Sequence, residues 1–322
     1  MLRYVNSDLF TSPAKVLVNT VNVVGVMGKG VALEFKKRYP VMYEEYRDLC
    51  LGGKLNVGQL WLWQGPERWV LNFPTKKHWR NPSKQEYIEA GLRTFVRGYQ
   101  ARGIDSISFP LLGCGNGQLD FGTQVRPLME KYLRRLTIPV YVHTRTEPST
   151  FVAEHEEPDL FQPAGIPPRS FHDFWRDVRQ VSERYPEVCL QTLASASDFR
   201  LAYVTDDNVV FIRGSSGGRV HVPKADFYDL WVTLKITGSI TPAEAPGRIG
   251  REYGLVFAFL SLLPYIRPVQ ISDAYEALLD RPSYGLQLQY CGGPEASPVE
   301  VEFACRVGRR MFAPTSPHGR CG

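Results

Sequence analysis

The 322-residue chain has no unbroken apolar run near the roughly 18 residues that a membrane-spanning helix needs. Its opening, MLRYVNSDLF, lacks the charged-then-apolar build of a secretory signal and reads directly as a first strand. Cysteine is sparse. The six thiols, at positions 50, 114, 189, 291, 305 and 321, form no CxxC pair and no Cys/His spacing suited to zinc. Reduced thiols in a cytoplasmic protein account for them. No internal repeat or low-complexity tract is present, which excludes solenoid arrays. Carboxylates and histidines do not cluster with metal-ligand spacing, and neither GxGxxG nor GxxxxGK[ST] occurs, so the expectation is a protein without metal or cofactor.

Charge is present but unevenly divided. Residues 1–150 carry 21 Lys+Arg against 12 Asp+Glu, and the remainder carries 17 against 21. A basic front half suits a polyanion such as nucleic acid, although solvated helix faces spread charge in the same way. Hydrophobic residues make up 43% and aromatic residues 12% of the chain, enough for both halves to bury a core. At this length two domains are favoured over one.

Strand-like segments at 2–5, 15–22, 59–64, 68–74, 106–110 and 138–144 alternate with helix candidates at 30–39, 40–52, 84–102 and 122–135. Ser83 suits the N-cap of the 84–102 helix. Such alternation predicts an α/β fold, a mixed and largely parallel sheet between helices, with ligands beyond the carboxyl ends of the strands. Residues 146–170, rich in proline and acid, read as a linker, and the division expected is 1–148, a linker at 149–169, and 170–322. The last part reads as a smaller α+β domain: helices at 171–185, 224–236 and 250–264, a hairpin over 199–214, a Gly/Pro-rich tail from about 281 and a strand candidate at 299–307.

Three segments carry chemistry. VNTVNVVGVMGKGVALEF (18–35) runs strand, loop, helix, and glycines at 25, 28 and 30 let backbone amides approach a ligand. A helix opening near Gly30 offers unpaired N–H groups to phosphate. SISFPLLGCGNGQLDFG (106–122) repeats the arrangement with Gly113, Gly115 and Gly117. Two such loops at one sheet edge can clasp a diphosphate from both sides, whereas either alone is an ordinary strand-to-helix turn. Cys114 lacks a neighbouring base or cation and reads as a small packing residue. Asp8 can accept the exocyclic amine hydrogen of adenine, or cap a turn. Asn22 can serve ribose hydroxyls, or turn chemistry. In NFPTKKHWRNPS (72–83), lysine beside the ligand loops can attack an anomeric carbon and form a Schiff base if burial deprotonates it. Lys77, His78 and Arg80 suit phosphates and Trp79 suits stacking on a base, although a solvated basic loop with one aromatic anchor fits too.

Together these segments resemble the macrodomain family: Ser7-Asp8-Leu9, VNTVN…GVMGKGVA and PLLGCGNG, over nearly half the chain. The pattern is most similar to the DNA ADP-ribosyl glycohydrolase antitoxins, the DarG family, which share VNTVN-VGVMGKG, NFPTKKHW and PLLGCGNGQLDF. The resemblance implies removal of ADP-ribose from thymidine in DNA, where a partner toxin attaches it. It implies that Lys76 is catalytic and that Asp8 reads adenine. Asn22 and the 25–31 loop, with Gly28, Gly30 and Val31, would hold the distal ribose. Leu112, Gly113, Cys114, Gly115, Asn116 and Gly117 would wrap the diphosphate, and Leu9, Thr20, Val21 and Thr75 complete the candidate ADP-ribose pocket. Lys77, His78, Trp79 and Arg80 are candidate contacts to DNA, expected to be single-stranded. The lysine-dependent terminal ADP-ribose glycohydrolases of animals look similar through TKK but pair the lysine with an aspartate where this chain has Gly117. Asp120 is the nearest carboxylate in sequence. The C-terminal half would contact the ADP-ribosyltransferase toxin. A non-catalytic ADP-ribose reader, and a hydrolase of ADP-ribosylated protein or of ADP-ribose 1″-phosphate, are the alternatives.

Overall fold

The computed structural model describes residues 1–145, 167–184, 189–191, 198–213, 217–280 and 283–289. The first half builds β1 (Leu2–Val5), β2 (Val16–Asn22), α1 (Gly30–Arg38), α2 (Pro40–Leu51), β3 (Trp61–Gln64), β4 (Trp69–Lys76), α3 (Gln85–Gly98), β5 (Ile107–Phe109), α4 (Arg126–Leu133) and β6 (Val140–His143). The described part of the second half adds α5 (Phe171–Arg184), β7 (Cys189–Gln191), β8 (Asp198–Val204), β9 (Asn208–Arg213), β10 (Arg219–Pro223) and α6 (Lys224–Thr237). After these come β11 (Ser239–Ile240), α7 (Gly247–Arg251), α8 (Tyr253–Leu260), β12 (Ile266–Ser272), α9 (Tyr275–Asp280) and β13 (Tyr284–Leu288).

Both faces of the first-half sheet are covered, which is why its strands read as continuous apolar runs. Along β2, Val16 and Val18 enter a core with Leu92 and Phe95 of α3, while Leu17 and Val21 enter another with Phe35 of α1 and Tyr46 of α2. Alternation at period two sorts the residues to the two sides. Strand order is β11-β13-β12-β1-β6-β5-β2-β4-β3. From β1 through β4 every neighbour pair is parallel. Their carboxyl ends therefore share one edge of the sheet. The outer pairs β3–β4, β1–β12, β12–β13 and β11–β13 are antiparallel.

The second half has its own core, in which Phe174, Trp231, Phe257 and Phe259 are buried, and its own four-stranded sheet β10-β9-β8-β7. It also lends β11, β12 and β13 to the first-half sheet. Sequence patterning missed this extension, and the tail expected from about 281 in fact begins with β13. Buried Arg3 of β1 donates to the Ser239 carbonyl at 2.9 Å and pairs with Glu244, so a charge from one half is neutralised by the other.

Other expectations need correction. Helix α3 starts one residue later than expected: Lys84 is its N-cap, because the Ser83 N–H is drawn instead to the Gly117 carbonyl at 2.9 Å. The 122–135 helix begins with a five-residue π turn over 121–125 and becomes α-helical only at Arg126, since Asp120 caps the turn. The 250–264 helix is two helices broken at Glu252, whose ψ of 27° is not helical. The expected linker up to residue 166 and the strand candidate at 299–307 lie outside the described residues.

Candidate active site

Four loops leave the carboxyl edge of β1, β2, β4 and β5, and between them they carry the sequence-predicted residues. Strand β2 sits between β5 and β4, with Asn22 in register with Lys76. The first glycine loop, following β2, is thus bracketed by Lys76 on one side and the second glycine loop on the other. From β1 to β4 is four strand spacings, about 19 Å. That is the reach of an adenosine diphosphate carrying a second sugar rather than of a lone phosphate.

Asn22 is 7% exposed and builds its own loop. Its Oδ1 accepts from the Val24 and Val26 N–H groups at 3.1 and 3.2 Å, and its Nδ2 donates to the Val26 carbonyl at 2.6 Å. The buried Tyr46 hydroxyl donates to the Asn22 carbonyl at 2.7 Å. The amide suggested for ribose is thus engaged in shaping the 23–26 turn, and sequence gave no sign of Tyr46 behind it. Beyond the turn, Gly28, Lys29 and Gly30 are exposed, and the N-cap Lys29 makes no side-chain bond to the first-turn amides of α1. First-turn N–H groups without a side-chain cap are what a helix start offers an anion.

Lys76 ends β4 and is half-buried. Its Nζ donates to the Asn116 carbonyl at 2.5 Å, which ties the lysine to the second glycine loop. Asn116 also meets the first loop, because a Cβ on Gly30 would stand 3.1 Å from its Nδ2. Asn116 is where lysine and both loops converge. Burial lowers the Lys76 pKa below its ordinary value, favouring the neutral amine.

No carboxylate attends that amine in hydrogen-bond contact among the described residues. Asp120, three residues after Gly117, accepts from the Thr123 N–H at 2.7 Å and the Thr123 hydroxyl at 2.6 Å. It is a helix cap, and these bonds hold its carboxyl below the ordinary range. At Gly117, Ser83 fills the space that a side chain would need. A Cβ there would lie 2.5 Å from Ser83 Oγ and 3.8 Å from Lys76 Cε. The Ser83 hydroxyl is buried without a hydrogen-bond partner. Sequence reading had given Ser83 only a capping role.

The remaining candidates fall into two groups. Leu9, Val21, Thr75 and Leu112 are buried and Thr20 is half-buried, so the buried four support the loops from the core and offer a ligand main-chain atoms. Val31 is half-buried in the first turn of α1, and Gly113, at φ 70°, and Gly115, at φ 61°, take left-handed turns that a side chain would strain. The Cys114 thiol is pushed up to about 12 by burial and then by the Asp120 charge, which leaves it protonated and unreactive at neutral pH. Asp8 Oδ1 caps the short helix Leu9–Thr11 by accepting from the Phe10 N–H at 3.0 Å. Beside Lys76, Lys77, Trp79 and Arg80 are exposed. The His78 ring stacks on Trp79 at 5.4 Å between centroids, and the Arg80 guanidinium lies 4.5 Å from the Trp79 ring centre. This is a cationic-aromatic stack on the lip of the site. Among the described residues no group of three or more His, Cys, Asp or Glu stands together as a metal site requires, and no helix is long and apolar enough to cross a membrane.

The profile of the Macro domain family matches residues 18–127. The "DNA ADP-ribosyl glycohydrolase" of Thermus aquaticus is 43% identical over 152 residues, 46% of this chain and 42% of that protein. A "DNA ADP-ribosyl transferase-DNA ADP-ribosyl glycohydrolase fusion protein" of Thermosipho africanus is 38% identical over 165 residues, 45% of this chain and 42% of the fusion. Among solved structures, the macrodomain of Thermus aquaticus DarG is 44% identical, covers 45% of this chain and 98% of its own, and aligns with a TM-score of 0.43. The chain spans less than half the length of these two curated relatives. The matched segment, residues 18–127, contains both glycine loops and the lysine, and it is over this segment that the chain is similar to the Macro domain family.

Proposed function

We propose that this protein is a DNA ADP-ribosyl glycohydrolase that releases ADP-ribose from thymidine, with Lys76 as the reacting group. The observation that carries this is the placement of a half-buried amine at Asn116, where two glycine loops meet. Asp8 takes the adenine end, the first-turn amides of α1, which no side chain caps, and the 112–117 loop take the diphosphate, and the distal ribose then points toward Lys76. The neutral amine gives its lone pair to the anomeric carbon as the bond to the base breaks. The base leaves with that bonding pair and picks up a proton. Ring opening of the lysine adduct yields a Schiff base, which water hydrolyses to ADP-ribose and free Lys76. The cationic lip of Lys77, His78, Trp79 and Arg80 suits a DNA-borne substrate, its phosphates held while a single-stranded or flipped base is presented.

Pairing with an ADP-ribosyltransferase toxin, and so an antitoxin role, draws support from the Thermosipho africanus relative, whose name joins both activities in one chain. The toxin would be met through the C-terminal half. The test is release of ADP-ribose from an ADP-ribosylated oligonucleotide by wild type and by Lys76→Ala. Wild type should release it, and the variant should bind ADP-ribose without releasing it. Full activity in the variant removes the lysine from the chemistry. Binding without release by wild type would make the protein a reader, and release from ADP-ribosylated peptide or from ADP-ribose 1″-phosphate alone would move the substrate to those classes.

A further inference from the structure

The loop that carries Asp8 is held from below by a buried polar cluster, and one member of that cluster comes from the other half of the chain. His143, at the end of β6, lies 3.2 Å from the Ser7 hydroxyl and 3.4 Å from the Ser108 hydroxyl. Ser108 in turn meets the Ser12 hydroxyl at 2.5 Å. Two guanidiniums flank the cluster. Arg68, 2% exposed, donates to the Ser12 carbonyl at 2.6 Å and to the Ala14 carbonyl. Arg267 of β12, 6% exposed, donates through Nη2 to the Thr11 carbonyl at 3.4 Å and to Gln287 Oε1 at 2.7 Å. Both positive charges, after burial itself, keep His143 neutral, with its pKa lowered to about 3.

The contact is part of a longer seam. Strand β12 pairs with β1 through Val5 and Ile271, then follows the chain into the loop: the Asn6 N–H donates to the Gln270 carbonyl at 3.0 Å and Asn6 Nδ2 to Gln270 Oε1 at 2.7 Å. Packing a strand against the sheet edge requires only an apolar side chain at position 267. A buried arginine is costly unless its donors are satisfied, and Arg267 Nη2 alone reaches two acceptors. Here the acceptors are a β13 side chain and the carbonyl three residues after Asp8.

Resting on the ADP-ribose reading above, we propose that Arg267 is a positioning residue for the adenine-side loop, so that the C-terminal half helps set the affinity of the N-terminal site. Arg267 touches no ligand. It fixes the Leu9–Thr11 turn, whose cap is Asp8, and so fixes where the carboxylate meets adenine. The C-terminal half then does more than offer a surface to a partner.

The experiment uses the full chain and calorimetric titration with ADP-ribose. Arg267→Met, similar in length but without donors, should bind about five- to tenfold more weakly, the worth of roughly one ordinary hydrogen bond. Arg267→Lys, which keeps a cationic donor, should recover most of that loss. At saturating ADP-ribosylated oligonucleotide, kcat of the methionine variant should stay within about twofold of wild type, because the lysine end is untouched and the loss falls on KM. A folded Arg267→Met protein with unchanged affinity overturns the inference, and so does a loss that lysine fails to rescue. If the methionine variant does not fold, Arg267→Gln, too short to reach both acceptors, takes its place, and unchanged affinity there overturns it equally. Wild type that fails to bind ADP-ribose would instead sink the functional reading itself.

Discussion

Adding a single methyl group at Gly117 tests how tightly the lysine pocket is closed. The backbone there is not left-handed, so alanine meets no conformational strain and its whole effect is steric. Its Cβ would stand 2.5 Å from Ser83 Oγ and 3.1 Å from Ser83 Cβ, against an ordinary contact of about 3.5–4.0 Å. Ser83 is 4% exposed, and its N–H is fixed to the Gly117 carbonyl, so the residue cannot simply swing away. Overpacking of this kind costs about 1–3 kcal/mol. Ser83→Ala by itself should be neutral or slightly stabilising, since the hydroxyl it removes is buried without a partner. The double variant should lose less stability than Gly117→Ala alone, because the oxygen that clashed is gone. Urea unfolding of the two single variants and the double gives the coupling directly. Strictly additive changes would refute the proposed contact, as would a Gly117→Ala protein as stable as wild type. Gly117→Asp should be destabilised at least as much, so an animal-type carboxylate cannot be introduced without first clearing Ser83.

Other expectations follow from the same geometry. With Lys76 as the proposed nucleophile, release of ADP-ribose would need the neutral amine, so kcat/KM should rise with pH through a midpoint below the ordinary lysine value of 10.5, and a flat profile would argue against an amine nucleophile. Asp120→Ala should cost about 0.5–2 kcal/mol through the lost cap while leaving kcat nearly unchanged, and a collapse of kcat in a folded protein would return Asp120 to the chemistry. Tyr46→Phe should weaken ADP-ribose binding by loosening the loop behind Asn22, with about 1 kcal/mol lost in stability, measured by titration and urea unfolding. Cys114 should resist alkylation at pH 7 in the folded protein, since its thiol titrates near 12; rapid labelling would contradict that environment.

Local pattern determined much of this protein. Apolar runs such as VLVNTVN, punctuated by glycine loops, specify strands buried on both faces and loops beyond them, because strand periodicity and glycine's freedom are properties of neighbouring residues. That a lysine, two glycine loops and a cationic-aromatic segment follow neighbouring strands was therefore legible from the local pattern, whereas the roles expected of them came from the family resemblance. Tertiary structure decided the partners of those residues. Asn22 closes its own turn, Asp120 caps a helix, and Ser83 fills the space beside Gly117, because each such choice depends on what lies within about 3 Å in space. The addition of β11, β12 and β13 to the sheet was equally hidden. Which strand closes an open edge is set by long-range pairing between residues some 266 positions apart, such as Val5 and Ile271, and no local window of sequence contains that information.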